Sequence, residues 1–384
     1  MIYFKTKFVN IYTQQEIEGQ PELWHLVLNL IQQRSEEINE YLQPILAKKE
    51  LQIILAGAGS SAFIGEAAQG VIQKQTGRVT KAVATTDIVT HPENFLCPNH
   101  ATLLVSFARS GNSPESLETL KLVNQFCAEA YHLVITCNKE GELAQFAMAN
   151  PKTSFAFLLP EGANDKSLAM TGSFSSMLLS VLLIFSKNDV EEKKKEIASL
   201  VGKAQNILSK KKAFKEIATV EYERVVFLGS GPLLGIAREC GLKLQELSDG
   251  VVICKHDSFL GFRHGPRAVA NEKTLMVYLF SSNDHAYQYE LDLAKSIACD
   301  ERNIACVTIG REQEIELDPL LNIDLDFEKG KDLYIVTVAL VGQLLGLYKS
   351  LELGLDPDNP SKSGAISRVV EGVVIYDHPN STKA

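Results

Sequence analysis

Leu51-Gln-Ile-Ile-Leu55-Ala-Gly57-Ala-Gly59-Ser-Ser61 reads as a short buried strand, a sharp glycine turn and the start of a helix. The apolar run has strand length, and the glycines let the backbone turn at the strand's carboxyl end. A helix from about residue 62 to residue 75 is expected next. The same order returns later in the chain. Arg224-Val-Val-Phe-Leu228 is a strand, Gly229-Ser-Gly231 a turn, and 234–247 a helix. The match is thin in letters and close in context, and it reads as an internal duplication of a doubly wound α/β domain.

Other segments fit that plan. Strands are expected at 78–84, 101–106, 132–136, 274–280 and 304–308, with a helix at 114–128. Alternating strands and helices argue for a mainly parallel sheet covered on both faces. Residues up to about 50 read as helical. There Thr13-Gln-Gln-Glu16 has the spacing of a capping box. Pro21 opens a further helix with Leu23, Leu26, Leu28 and Ile31 on its apolar face. The Lys/Glu-rich stretch 188–215 reads as a solvated connecting helix. The expected organisation is a helical extension at 1–40, one α/β domain at 41–195, and a second at 196–384 that ends in a loop of the active site.

Composition narrows the function classes. The 384 residues carry a formal net charge of −9 with no Lys/Arg-rich stripe, which speaks against a general nucleic-acid binder. A local nest of backbone N–H groups can still hold a phosphate in an acidic protein. Seven scattered cysteines without a CxxC pair fit a reducing cytoplasm and give no zinc spacing. Met1-Ile-Tyr-Phe-Lys5 is not followed by the apolar region of a signal peptide. The most apolar stretches, 174–186 and 334–348, fall short of a clean span of ~20 residues and read as buried helices. A cytoplasmic protein that does not enter the membrane is expected.

Five constellations could carry chemistry. Gly59, Ser60 and Ser61 open a helix whose free N–H groups suit an anion, although a plain strand–helix turn with a serine cap has the same letters. No full dinucleotide fingerprint is present, because Gly65 comes too late and no acidic ribose partner follows. Ser106-Phe-Ala-Arg109-Ser110-Gly111-Asn112-Ser113-Pro114-Glu115-Ser116 brings four hydroxyls to a helix start, more than capping needs, and suits a phosphate monoester. Glu239, Lys243 and Glu246, at spacings of four and three, share one helical face, which alone is an ordinary ion-paired surface. Arg263-His264-Gly265-Pro266-Arg267 places a histidine in a turn, and neighbouring arginines favour the neutral imidazole that a proton shuttle needs. Lys362 and Arg368 lie in a Pro/Ser/Gly-rich C-terminal loop that could close over an anion or be a surface tail.

Taken together these motifs resemble a known family. Leu55-x-Gly-Ala-Gly-x-Ser-Ala-Phe-Ile-Gly65, Ser106-Phe-x-Arg-Ser-Gly-Asn-Ser-Pro-Glu-Ser116, Ile135-Thr-Cys-Asn138, Leu242-Lys243-Leu-Gln-Glu246, Gly261-Phe-Arg-His-Gly-Pro266 and Arg368-Val-Val-x-Gly372 are ordered along nearly the whole chain. They resemble double sugar-isomerase (SIS) proteins, among them the isomerase half of glucosamine-6-phosphate synthase. The resemblance is closer to the AgaS family, galactosamine-6-phosphate deaminase/isomerases also labelled tagatose-6-phosphate ketose/aldose isomerases.

The resemblance implies two tandem SIS domains and a set of roles. Ser61, Ser110 and Ser113 would bind the sugar phosphate, with Arg109 and Gly111 in the same loop and Gly59 and Ser60 as possible substrate contacts. Glu246 would move the proton between C1 and C2, supported by Lys243 one turn earlier. His264 would open the sugar ring, in the synthase often from a neighbouring subunit. Arg263, Lys362 and Arg368 are possible substrate contacts. The synthase places a lysine from its final loop near the substrate, and here Arg368 is preferred to Lys362.

The chain shows no glutaminase segment and Ile2 follows Met1 where the synthase has a nucleophilic cysteine, so amination is not expected. The expected reaction is galactosamine 6-phosphate to tagatose 6-phosphate and ammonia, in a homodimer or larger homo-oligomer, without metal or redox cofactor. The alternatives are a tagatose-6-phosphate-type isomerase, a glucosamine-6-phosphate deaminase and a non-enzymatic sugar-phosphate sensor.

Overall fold

Helices α1 (Tyr12–Glu18), α2 (Gln20–Gln33) and α3 (Ser35–Leu46) precede the first strand, β1 (Leu51–Gly57). Next come α4 (Ser60–Thr76), β2 (Val79–Ala84), α5 (Thr85–Thr90), β3 (Ala101–Ala108), α6 (Pro114–Phe126), β4 (Glu129–Thr136), α7 (Glu142–Ala149) and β5 (Ser154–Leu158). These strands form one parallel sheet in the order β2-β1-β3-β4-β5. Every residue of β1 is buried, as a strand covered on both faces must be. The computed structural model describes residues 10–302, 304–312, 315–328, 331–369 and 372–378, so Met1-to-Lys5 and part of the Arg368-to-Gly372 motif lie outside the described residues.

Helices α8 (Gly172–Phe185), α9 (Val190–Ser209) and α10 (Lys211–Ala218) lead to the second series. It comprises β6 (Arg224–Gly229), α11 (Pro232–Leu247), β7 (Ile253–Asp257), α12 (Phe259–Phe262), β8 (Thr274–Leu279), α13 (Asp284–Ala298), β9 (Ala305–Gly310), β10 (Leu321–Asp324) and α14 (Ile335–Glu352). The second sheet, also parallel, runs β10-β9-β8-β6-β7. Read from its other edge, this is the order of the first sheet, so the duplication expected from two glycine turns holds for the whole topology.

The chain divides into two compact units that are not contiguous blocks. One, called here the first unit, holds the first sheet with His25–Asn164, Ser176–Val190 and the chain from Ser367 on. The second unit holds the other sheet with the chain up to Trp24, Asp165–Ser175 and Glu191–Ile366. Side chains explain the exchange of ends. In the second unit the Thr13 hydroxyl donates to the Pro357 carbonyl at 2.9 Å and the Thr13 N–H to Asp358 Oδ1 at 2.7 Å. In the first, His378 pairs with Glu93 at 2.9 Å and lies edge-on to Phe126.

Three local expectations are corrected. Thr13-to-Glu16 is not a capping box: Ile11 occupies the N-cap position of α1 with no side-chain bond, Thr13 bonds as above, and Glu16 accepts from the Lys166 N–H and the Ser167 hydroxyl. Burial, then nearby Asp165, pushes the Glu16 carboxyl up. Leu26 is exposed, and the apolar face of α2 is Leu23, Trp24, Val27, Leu28 and Ile31. The segment 188–215 is mostly α9 and α10, which bury Ile197, Leu200, Ile207, Phe214 and Ile217, so it is a packed layer and not a solvated connector. The apolar stretches are α8 and α14. Helix α14 is long and apolar enough to cross a membrane, and it lies 89% buried inside the protein.

Candidate active site

In a sheet ordered 2-1-3-4-5 the connections reverse direction between β1 and β3, and ligands bind in the crevice outside the carboxyl ends of those strands. Helices α4 and α6 both begin there. At the β1 end Gly59 has φ +56° and ψ −129°, a conformation that side chains resist. A Cβ on Gly57 would lie 2.5 Å from the backbone carbon of Ser61, so only glycine lets α4 start this close to the strand. Ser60 and Ser61 are thereby buried in the first turn of α4.

The loop after β3 is braced from behind. Asn138 Nδ2 donates to the Ser110 carbonyl at 2.8 Å, and Asn112 Oδ1 accepts from the Glu142 N–H at 2.9 Å. A Cβ on Gly141 would fall 2.5 Å from the Ser110 oxygen, and Gly111 turns the loop at φ +72°. Ser113 occupies the N-cap position of α6, yet its hydroxyl makes no cap bond and donates instead to Ser116 Oγ at 2.6 Å. The Arg109 guanidinium donates to the Arg368 carbonyl, and Arg368 Nη2 donates to Asn164 Oδ1 at 2.9 Å. The first unit thus brings two helix N-termini, several hydroxyls and an arginine to one sheet edge, which is the chemistry of a phosphate monoester site.

The second unit repeats the turn. Gly231 has φ +55° and ψ −125°, and a Cβ on Gly229 would sit 2.3 Å from the Leu233 carbonyl oxygen. Helix α11 leaves β6 as α4 leaves β1, but its inner face is charged. Lys243, 1% exposed, places Nζ 2.5 Å from Glu246 Oε2 and 3.7 Å from Glu239 Oε1. Glu239 is fully buried, whereas Glu246 keeps 22% of its side chain accessible. One buried ammonium between two carboxylates holds both in place, and Glu246 is the more accessible of the two. The helix is fixed by α14: a Cβ on Gly342 would be 2.2 Å from Cys240 Cα, and one on Gly346 would be 2.9 Å from the Lys243 carbonyl oxygen.

His264 is exposed in the turn after α12, its N–H on the Gly261 carbonyl at 3.0 Å. The flanking arginines are engaged with α13: Arg263 pairs with Asp292 at 3.6 Å, and Arg267 donates to Ser296 Oγ at 2.9 Å. Lys362 is exposed in its loop. Arg109 of the expected phosphate loop and Arg368 of the C-terminal loop meet directly. Glu246 and Lys243 meet directly in the other unit. Sequence reasoning left Asn138, Asn112, Gly141 and Glu239 off the site. Asn138 stood in a quoted motif and Glu239 on the charged helical face, but only the fold shows what they hold.

These features define a SIS-type sugar-phosphate fold. The SIS domain family matches residues 45–187. The chain is 38% identical over 375 residues to the D-galactosamine-6-phosphate deaminase AgaS of Escherichia coli, covering 95% of each. It is 38% identical over 377 residues to the enzyme of that name from Shewanella sp. (strain ANA-3), covering 97% of this chain and 93% of the relative. The crystal structure of tagatose-6-phosphate ketose/aldose isomerase from Escherichia coli superposes with a TM-score of 0.87 at 36% identity, covering 98% of both chains. The C-terminal domain of glucosamine-fructose-6-phosphate aminotransferase from Francisella tularensis shares the fold at a TM-score of 0.74 and 19% identity, over 92% of this chain and 99% of that one. The chain belongs to the AgaS family of double-SIS proteins.

Proposed function

We propose that this chain converts galactosamine 6-phosphate to tagatose 6-phosphate and ammonia. The observation that carries the reading is the Glu239–Lys243–Glu246 cluster, a buried cation clamped to a partly open carboxylate, because phosphate binding alone requires no such group. Ser61, Ser110 and Ser113, with Arg109 and Gly111, hold the phosphate, and Gly59, Ser60 and Arg368 complete that edge. That the Ser113 hydroxyl does not cap its own helix supports the role. Arg263 and Lys362 remain secondary candidates for substrate contact.

His264 takes the C1 hydroxyl proton and returns one to the ring oxygen, opening the pyranose. Glu246 removes the C2 proton to give an enolamine, then delivers a proton to C1, leaving a ketimine at C2. Water adds to the ketimine, and ammonia departs to leave the ketose. Each acid–base step contributes about 10²–10⁴-fold. The exposure of His264 supports its acting on the substrate of a second copy of the chain, hence a homo-oligomer, and the reading places the enzyme in the cytoplasm.

The likeness to the tagatose-6-phosphate ketose/aldose isomerase of Escherichia coli favours a second reading, in which the same groups interconvert an aldose and a ketose 6-phosphate. Assays of ammonia and ketose phosphate with galactosamine 6-phosphate, glucosamine 6-phosphate and the 2-hydroxy sugar decide. Ammonia with ketose from galactosamine 6-phosphate is expected. Ketose from the 2-hydroxy sugar alone makes it an isomerase, and no product from any of them leaves a sugar-phosphate sensor.

A further inference from the structure

The duplicated turn of the second unit is the natural place for a second anion site. The sheet registers align the two halves residue by residue. Ala56 faces Ser106 across β1 and β3, and Leu228 faces Tyr278 across β6 and β8. Three residues on, Arg109 in the first half corresponds to Ser281 in the second. Helix α6 then starts five residues later at Pro114, and α13 three residues later at Asp284, so the second loop is shorter by two. The seventh residue of the helix is Leu120 in α6 and Glu290 in α13.

In the second loop the protein's own side chains take the backbone N–H groups. The Ser281 N–H donates to Glu290 Oε2 at 2.8 Å, and the Ser282 N–H to the Tyr334 hydroxyl oxygen at 3.2 Å. The Asn283 N–H donates to Ser281 Oγ at 3.1 Å, and the His285 and Ala286 N–H groups to Asn283 Oδ1. From behind, Arg311 Nε donates to the Ser281 carbonyl at 2.9 Å, its guanidinium stacked over Tyr287 and Phe327. Glu290 is fully buried, the Ser230 hydroxyl of the glycine turn lies beside it, and its Oε1 has no hydrogen-bond partner among the described residues. A carboxyl group thus stands at the strand-end turn where the first half offers amides and hydroxyls.

We propose that the second unit carries a latent phosphate site closed from within by the Glu290 carboxyl and the Tyr334 hydroxyl, so that each chain binds one phosphate and not two. The count of one rests on the 110–113 loop being the phosphate site; the closure does not.

The test is the number of equivalents of inorganic phosphate bound per chain, measured by isothermal titration and equilibrium dialysis. The wild type and Glu290→Gln, which keeps an acceptor in place, should bind one. Glu290→Leu with Tyr334→Phe, which gives the second half the residue of the first and removes the hydroxyl, should bind two. If that double variant does not fold, Glu290→Leu alone should still gain a weaker second equivalent. Two equivalents on the wild type, or a folded variant held at one, overturns the proposal. The first loop is tested separately by Ser110→Ala with Ser113→Ala. If that variant keeps the wild-type equivalent, the phosphate-loop reading fails, while a gain of one equivalent at the second loop still supports closure.

Discussion

Gly59 turns the chain at φ +56° and ψ −129°, and Gly231 turns it at φ +55° and ψ −125°, yet the segments beyond the two turns differ. In the first half α4 opens with two buried serines, and the Ser113 hydroxyl bonds Ser116 Oγ without capping the backbone of α6. In the second half α11 carries Glu239, Lys243 and Glu246, and the corresponding loop is tied off by its own side chains. Duplication has kept the backbone geometry, which glycine sterics dictate. Side chains and loop length have moved apart, and in the proposed reaction one half captures the anion while the other transfers the proton.

Four comparisons probe that contrast. The largest effect is expected from Lys243→Met, which leaves the buried Glu239 carboxylate and the half-buried Glu246 carboxylate without this cation and should cost about 3–5 kcal/mol in urea unfolding. Ser110→Ala with Ser113→Ala, in the other half, should stay within about 1 kcal/mol in the same assay. Equal losses would remove the distinction between a buried charged helix and a ligand loop.

Next in size is a pH effect confined to the second half. Burial pushes the Glu290 carboxyl up to about 7 from an ordinary value of 4.5, against the lowering contributions of the Ser281 N–H, Ser230 and Arg311. The folded state therefore binds the proton more tightly than the unfolded chain. This contribution is complete below pH 4.5 and is lost as pH rises through 7, about 3 kcal/mol in all. Comparing urea unfolding at about pH 4.5 and about pH 8 for the wild type and Glu290→Gln should show that part of the slope vanish in the variant. An unchanged slope would mean that Glu290 is not the group responsible.

Gly57→Ala and Gly229→Ala should cost alike, about 1–3 kcal/mol each, because both put a Cβ into the first turn of the following helix. Thermal unfolding checks this, and a large cost at one position only would break the structural equivalence. The smallest effects come at the two helix starts. Asn283→Ala should cost about 1 kcal/mol, since Asn283 Oδ1 caps α13 through two N–H groups. Ser113→Ala should cost no more than about 0.5 kcal/mol, since its hydroxyl caps nothing.

Legibility in the sequence divides along the same line. The strand–glycine–helix turns, the serine loop and the Glu/Lys face of α11 are local patterns, and each lies where it was expected. Edge strands such as β7, Ile253-Cys-Lys-His-Asp257, mix polar and apolar residues and give no periodic signal. Thr13 and Glu16 have the spacing of a local cap, but their partners lie 345 and 151 residues away. Glu290 is one acid in an amphipathic helix until the fold buries it against Ser281. Long-range satisfaction of polar groups decides these cases, and no local window contains it.

Glu246, held by Lys243, is the group that moves the proton in the proposed reaction. Ammonia release from galactosamine 6-phosphate by Glu246→Gln, measured beside substrate binding by the same variant, addresses that role most directly. Release should fall by about 10²–10⁴-fold while binding of the phosphorylated sugar persists. Release at the wild-type rate would contradict it.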